Sequence, residues 1–89
     1  MTIARTLHIQ GRAQGVGFRA AARAEARRLG QTGFARNEAD GSVTIEVEGE
    51  PDSIETFVAW CHQGPSGAAV VKVEVTAAEP QGRADFAVG

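Results

Sequence analysis

The stretch Thr6-Leu7-His8-Ile9-Gln10-Gly11-Arg12-Ala13-Gln14-Gly15-Val16-Gly17-Phe18-Arg19 decides the fold. Its first part alternates apolar Leu7 and Ile9 with polar neighbours, which predicts a half-buried strand ending at Gly11. Apolar residues then recur at helical spacing up to Gly30, a residue typical of the position after a helix: Phe18, Ala22, Ala26 and Leu29. The stretch therefore predicts a strand, a glycine-rich loop and a helix in succession.

The residues after the first helix predict a hairpin and a second helix. An Asp40-Gly41 turn separates residues 33–37 from an alternating run that is typical of a strand: Val43, Ile45 and Val47. The second helix is indicated between Pro51, which suits a first helical turn, and the break at Gly64-Pro65. One apolar stripe runs along this helix, and Cys61 is interpreted as a core residue on that stripe.

Two further strands complete the order of elements. Val71, Val73 and Val75 alternate with polar residues, and residues 84–88 predict a short fifth strand. The order β-α-β-β-α-β predicts a ferredoxin-like α+β sandwich, in which two helices cover one face of an antiparallel sheet. Residues 1–89 are expected to form a single domain, because the chain is too short for two ordinary domains.

Charge is distributed unevenly along a chain whose net charge is only −2. Residues 1–36 contain seven arginines and one acid, which gives +6, and the remainder carries −8. Positive potential around the first loop and helix favours an anionic ligand. Arg23, Arg27 and Arg28 are interpreted as solvated helix residues. The acidic run Glu46, Glu48 and Glu50 is interpreted as the solvated face of a strand and its exit.

Composition also favours some partners and locations over others. The chain is 43% hydrophobic and 22% charged, which is typical of a globular domain. The net acidic charge and the lack of a basic strand interleaved with aromatic residues argue against nucleic acid. No stretch reaches membrane-spanning length, and the single cysteine gives no sign of an oxidising compartment. We therefore expect a cytoplasmic monomer that binds neither nucleic acid nor membrane.

The loop between the first strand and the first helix is a candidate phosphate site. Free backbone N–H groups and the helix dipole converge at such a position, and Gly15 and Gly17 allow successive N–H groups to turn inward. Arg19 offers a planar guanidinium that can pair with two phosphate oxygens. The loop lacks the Gly-Lys-Ser/Thr of a nucleotide-binding P-loop and the third glycine of a dinucleotide fingerprint. A glycine turn with no ligand is the alternative interpretation of the loop alone.

The chemistry available near the loop is sparse. It contains no histidine, cysteine or acid that could act as a phosphorylated nucleophile, and the chain has no metal-ligand spacing. Asn37 offers an amide that could orient a water, although its position alone favours an asparagine that merely enters a turn. Direct attack by water on a phosphate with a good leaving group fits this set of residues, and a carboxylate leaves without protonation. Acyl phosphates fit that requirement.

The two motifs resemble the signatures of acylphosphatases. The first is Ile9-x-Gly11-x-Ala13-Gln14-Gly15-Val16-Gly17-Phe18-Arg19, and the second is Gly33-Phe34-Ala35-Arg36-Asn37-x-x-x-Gly41-x-Val43 with Gly49. The resemblance covers the whole chain and includes the separation of the motifs and the order of elements. The chain departs from the family at Ala13, where valine is usual, and in its last strand, which lacks an aromatic or basic ending.

The resemblance implies hydrolysis of a small acyl phosphate to a carboxylate and inorganic phosphate, with no metal or cofactor. It implies that the backbone of Gln14, Gly15, Val16, Gly17 and Phe18 binds the phosphoryl group together with the Arg19 side chain. It also implies that Asn37 orients the attacking water. The second hypothesis is a ferredoxin-like binding module that uses the same loop to hold an anionic metabolite or RNA without turnover.

Overall fold

A computed structural model describes all of residues 1–89 and contains five strands and two helices. The elements in chain order are β1 (Ile3–Arg12), α1 (Phe18–Arg28), β2 (Thr32–Asn37), β3 (Val43–Gly49), α2 (Pro51–Gln63), β4 (Ala69–Ala78) and β5 (Phe86–Val88). Pro51 begins α2, as its position in the sequence predicts. The predicted fifth strand is present, and it is shorter than the alternating pattern suggests.

The strands form one sheet in the order β4-β1-β3-β2-β5. The first four strands pair antiparallel, through β1 with β3, β1 with β4, and β2 with β3. Strand β5 pairs parallel to β2, which makes the complete sheet mixed. The ferredoxin-like α+β fold is confirmed, and β5 adds a parallel edge to its antiparallel core.

Both helices lie on one face of the sheet and bury a single core. Helix α1 packs over β2 and β5, and α2 packs over β1, β3 and β4. The largest fully buried side chains are Phe18, Phe57, Phe86, Leu7, Ile9, Ile45, Val43, Val47 and Cys61. Cys61 is therefore a core residue as predicted, and burial raises the pKa of its thiol. Neither helix is long and apolar enough to span a membrane.

Glu48 departs from the interpretation of the acidic run as a solvated face. Only 4% of its surface is exposed, and its carboxylate accepts hydrogen bonds from the backbone N–H groups of Gln81 (2.9 Å) and Gly82 (3.1 Å). Strands β4 and β5 lie at opposite edges of the sheet, so the segment between them must cross over the strands that separate them. Glu48 fixes that crossing segment to the central strand, a contact that local alternation cannot predict.

Candidate active site

Strand β1 leads into a loop of residues 13–17 whose shape depends on two glycines. Gly15 and Gly17 have φ angles of 76° and 75°, a left-handed conformation that other residues rarely adopt. Gly17 is also the N-cap of α1, and no side chain caps this helix end. The loop therefore delivers an uncapped helix N-terminus directly after the strand.

The backbone N–H groups around this turn have no acceptor within the protein. The backbone N–H groups of residues 14–20 donate no hydrogen bond, and the first backbone bond of this region runs from the Ala21 N–H to the Gly17 carbonyl at 3.0 Å. The first N–H groups of a helix carry partial positive charge that the helix dipole reinforces. A row of such donors is suited to binding an anion.

Phe18 fixes the end of the loop to the second helix. Its side chain is 1% exposed, and its ring lies 5.5 Å from the Trp60 ring in a tilted arrangement. Gly64, which follows α2 with a φ of 69°, lies so close that an added Cβ would be 2.6 Å from the Phe18 ring. The Phe18 side chain thus belongs to the core, while its backbone begins α1 at the end of the loop.

Arg19 is the basic side chain that this loop places at the helix N-terminus. It forms no ion pair with any acidic side chain, and its Nη1 donates to the carbonyl oxygen of Gly89. Other arginines of the basic half are bound by carboxylates, since Arg27 pairs with Asp85 and Arg28 with Glu25. The guanidinium of Arg19 therefore keeps its charge available to a ligand.

Asn37 lies at the end of β2, where it pairs with Val43 across the hairpin. Its side chain is exposed and makes no hydrogen bond to the rest of the chain. The turn that follows is tightly held, because the Ser42 hydroxyl and N–H both donate to Asp40 Oδ1, at 2.5 and 3.0 Å. These two bonds lower the pKa of the Asp40 carboxyl, with the hydroxyl as the larger cause.

Gln14 joins the loop to this hairpin through its side chain. Its Nε2 donates to the Glu38 carbonyl (2.8 Å) and to the Ser42 carbonyl (2.9 Å), one on each side of the turn. Only the backbone of Gln14 was predicted from the sequence to belong to the site. The side-chain role depends on a contact between segments more than twenty residues apart, which no local pattern reveals.

A cavity of about 220 Å³ brings the two motifs together. It is lined by Ala13, Gly15, Gly17, Phe18, Arg19, Ala20, Asn37 and Val88. The predicted Gly15, Gly17, Phe18, Arg19 and Asn37 thus share one pocket, whereas Gln14 and Val16 do not line it and Val16 packs against the core. Three further wall residues could not be predicted from the sequence, because small apolar side chains carry no chemical signal: Ala13, Ala20 and Val88.

The lining offers backbone donors, one guanidinium and one carboxamide. It contains no carboxylate, imidazole or thiol side chain. Elsewhere in the chain, no group of three or more histidine, cysteine or acidic side chains is placed to hold a metal ion. Such a pocket can bind a small anion and orient a neutral molecule beside it, and it has no side chain suited to act as a nucleophile or general base.

Known proteins are similar to this chain in sequence and in fold. The sequence model of the family described as acylphosphatase matches residues 5–88. An acylphosphatase of Thermococcus kodakarensis is 49% identical over 92% of this chain and 90% of its own length. One from Azoarcus sp. (strain BH72) is 51% identical over 93% of this chain and 85% of its own. The structure of an acylphosphatase from Coxiella burnetii superposes with a TM-score of 0.96 at 33% identity, covering 99% of this chain and 93% of that one.

Proposed function

This chain belongs to the acylphosphatase family, and we propose that it hydrolyses small acyl phosphates by direct attack of water, without a metal ion. The observation that carries the proposal is the 220 Å³ cavity, in which the uncapped start of α1, Arg19 and Asn37 meet. Family membership favours this hydrolase over the binding module that the loop alone left open.

The phosphoryl group binds at the turn between β1 and α1. We assign its oxygens to the N–H groups of residues 14–18, none of which is used within the protein, and of these residues Gly15, Gly17 and Phe18 line the cavity itself. The Arg19 guanidinium pairs with two of these oxygens after releasing the Gly89 carbonyl. Charge that shifts onto the phosphoryl oxygens in the transition state is stabilised by donors already in place.

The attacking water is held by Asn37. Its carboxamide is free of other hydrogen bonds and opens into the same cavity as Arg19, so it can accept from a water and orient its lone pair. The water oxygen forms a bond to phosphorus as the bond from phosphorus to the acyl oxygen breaks. The electron pair of that bond leaves with the carboxylate, and both protons of the water end on the dihydrogen phosphate product.

The leaving group explains why so few residues suffice. A carboxylate has a conjugate acid with a pKa of about 4, so it departs at neutral pH without a proton donor. The cavity lining supplies no general acid, which matches a substrate that needs none. Positioning and charge stabilisation are then the whole task of the site.

Release of phosphate from benzoyl phosphate in the presence of EDTA tests the reaction. We expect turnover in the unmodified protein and a loss of about 10²–10⁴-fold in kcat/KM for Arg19→Ala, because a charged donor leaves the transition state. Asn37→Ala is expected to lower kcat while KM changes little, since the water rather than the phosphoryl group loses its partner.

Arg23→Ala is the matched control for Arg19, because Arg23 lies one helical turn further along α1 and does not line the cavity. Its kcat/KM should equal that of the parent protein. Turnover that disappears with EDTA would contradict metal independence, and full activity of Arg19→Ala would contradict its assignment. Binding of inorganic phosphate without any hydrolysis would support the binding module instead.

The proposal also covers the range of substrates, the oligomeric state and the location of the protein. The site grips mainly the phosphoryl group, so small acyl phosphates with different acyl parts should all serve as substrates. One chain contains the complete cavity, and we propose the monomer as the catalytic unit. A cytoplasmic location and the absence of nucleic-acid or membrane partners stay predictions of the sequence, and fractionation of cells with an antibody to the protein tests the location.

A further inference from the structure

Three residues that line the 220 Å³ cavity have no part in holding the phosphoryl group or the water. All three have apolar side chains, and they come from three parts of the fold: Ala13, Ala20 and Val88. Ala13 is only 1% exposed, and Ala20 offers a single methyl group from the first turn of α1. Val88 therefore has the largest apolar surface of the three that a substrate can cover.

The direction of the Val88 side chain follows from its place on β5. Phe86 and Val88 lie two residues apart on this strand, so their side chains lie on the same face of the sheet. Phe86 is 1% exposed in the core, whereas Val88 is 36% exposed and lines the cavity. The Gly89 N–H donates to the Ala35 carbonyl at 2.9 Å, which continues the pairing with β2 past Val88. Val88 thus extends the apolar face of β5 from the core into the cavity.

An apolar side chain in this position favours one kind of acyl group over another. Covering exposed apolar surface stabilises a complex by about 25 cal/mol per Å². An apolar acyl group gains this contribution when it lies against Val88. A charged acyl group loses hydration there without finding a partner, because the only charged side chain of the lining, Arg19, is assigned to the phosphoryl group.

We propose that Val88 is a specificity-determining residue, against which the acyl group of the substrate packs. The assignment rests on the proposed hydrolysis of acyl phosphates at the same site, and it names the preferred class: acyl phosphates whose acyl group is uncharged and apolar. The phosphoryl group is common to all substrates, so acyl phosphates with small or charged acyl groups are still hydrolysed. They differ from the preferred class by a higher KM.

Three substrates test this preference in the unmodified protein: acetyl phosphate, benzoyl phosphate and 4-carboxybenzoyl phosphate. The last two differ only by one carboxylate, which is too far from the acyl phosphate to react with it. We expect the lowest KM for benzoyl phosphate and a KM about threefold higher or more for the carboxylated compound. Equal KM values would overturn the proposal. So would a lower KM for the carboxylated compound, which would indicate that basic side chains of α1 recognise the acyl group.

Failure of the proposed function gives a different result, because none of the three substrates would then release phosphate. Turnover of all three without the expected order of KM contradicts the role of Val88 alone. The two failures are therefore distinguished by the same set of assays.

Val88→Ala removes two methyl groups from the cavity wall. It should raise the KM for benzoyl phosphate by about two- to fivefold and the KM for acetyl phosphate by less. The inhibition constant of inorganic phosphate should not change, because phosphate has no acyl part. Equal increases in both KM values and in this constant would indicate a displaced β5 and would contradict the proposal. Val71→Ala is the matched control, since Val71 is 82% exposed and lies outside the cavity, and all these constants should equal those of the parent.

Val88→Lys tests the same contact by charge, so it does not depend on the loss of apolar packing. An ammonium group at residue 88 can pair with the carboxylate of 4-carboxybenzoyl phosphate. The KM for this substrate should fall relative to the KM for benzoyl phosphate by about two- to fivefold, which is typical of an exposed ion pair. An unchanged ratio of the two KM values would show that the acyl group does not contact residue 88.

Discussion

Gly15 and Gly17 contribute a backbone conformation to the site and no side-chain contact. Both have left-handed φ angles, and a Cβ added to either would meet no atom within 4 Å. Their requirement for glycine is therefore conformational and not steric. The direction of the N–H groups between them depends on that conformation.

Gly15→Ala should consequently lower kcat/KM strongly and the free energy of unfolding only a little. We expect a loss of about 1 kcal/mol in the free energy of unfolding, because a left-handed φ is unfavourable for alanine. We also expect a large fall in kcat/KM, because relaxation toward negative φ turns the loop N–H groups away from the cavity. Urea denaturation and hydrolysis of benzoyl phosphate measure the two effects.

Gly30→Ala separates the two effects. Gly30 has a φ of 71° and equally open surroundings, but it follows α1 and lies outside the cavity. It should lose about the same stability, about 1 kcal/mol, and keep full activity. Equal loss of activity in both variants would show that the Gly15 effect is one of general stability.

At this scale the sequence predicted which residues meet in the candidate site better than it predicted the contacts that hold them in place. Gly15, Gly17, Arg19 and Asn37 carry recognisable chemistry at fixed spacing, and they meet in one cavity. The side-chain bonds of Gln14 and the burial of Glu48 escaped prediction, because each depends on a segment distant in the chain. Polar residues in alternating or turn positions look solvated until the partner segment is known.

Strand β5 is the weakest element of the sheet, with three residues and one neighbouring strand. An ion pair ties its start to α1, because Arg27 Nε and Nη2 donate to the two carboxylate oxygens of Asp85 at 3.1 and 2.7 Å. Val88 at its other end lines the cavity, and the adjoining Gly89 carbonyl accepts from Arg19. The placement of this short strand therefore affects the candidate catalytic pocket.

The ion pair between Arg27 and Asp85 makes the free energy of unfolding depend on pH in the acid range. The hydrogen bonds from Arg27 lower the pKa of the Asp85 carboxyl below its usual value near 4. The stabilisation is present above the unfolded pKa and is lost as the pH falls through the lower folded pKa. Asp85→Asn should therefore have a slightly lower Tm than the parent at pH 7, and the difference should vanish in strong acid.

Thermal unfolding of both proteins across this pH range measures the effect. The exposure of the pair keeps the difference small at neutral pH, and added salt should reduce it further. Asp52→Asn serves as a control for removal of an acid from a different element, α2. A difference between parent and Asp85→Asn that persists below the folded pKa would contradict the assignment to this pair.

At the scale of the whole molecule, the crossing between β4 and β5 completes the fold. Alternation and helical spacing predicted the elements and their order, including the last strand. They could not predict the route of residues 79–85, which carries no periodic pattern. The structure shows that Glu48, on the central strand β3, receives this segment through two backbone N–H groups.

Glu48→Ala should therefore destabilise the protein far more than a typical strand glutamate. It removes the acceptor of two N–H groups at a nearly buried position and should lower the free energy of unfolding by about 2–4 kcal/mol. Glu46→Ala is the matched control on the same face of the same strand, where a partly exposed pair with Arg83 should cost under about 1 kcal/mol. Equal effects in urea denaturation would contradict the role of Glu48.

The side-chain amide of Gln14 links the loop after β1 to the turn between β2 and β3. Because one nitrogen bonds carbonyls on both sides of the turn after Asn37, a shift of the loop relative to that turn breaks one or both of these bonds. The loop and the start of α1 are therefore not sufficient to reproduce the site in another protein. Grafting residues 13–19 onto another strand and helix would transfer the donors and the arginine, yet leave behind the hairpin that carries Asn37, the residue proposed to hold the water.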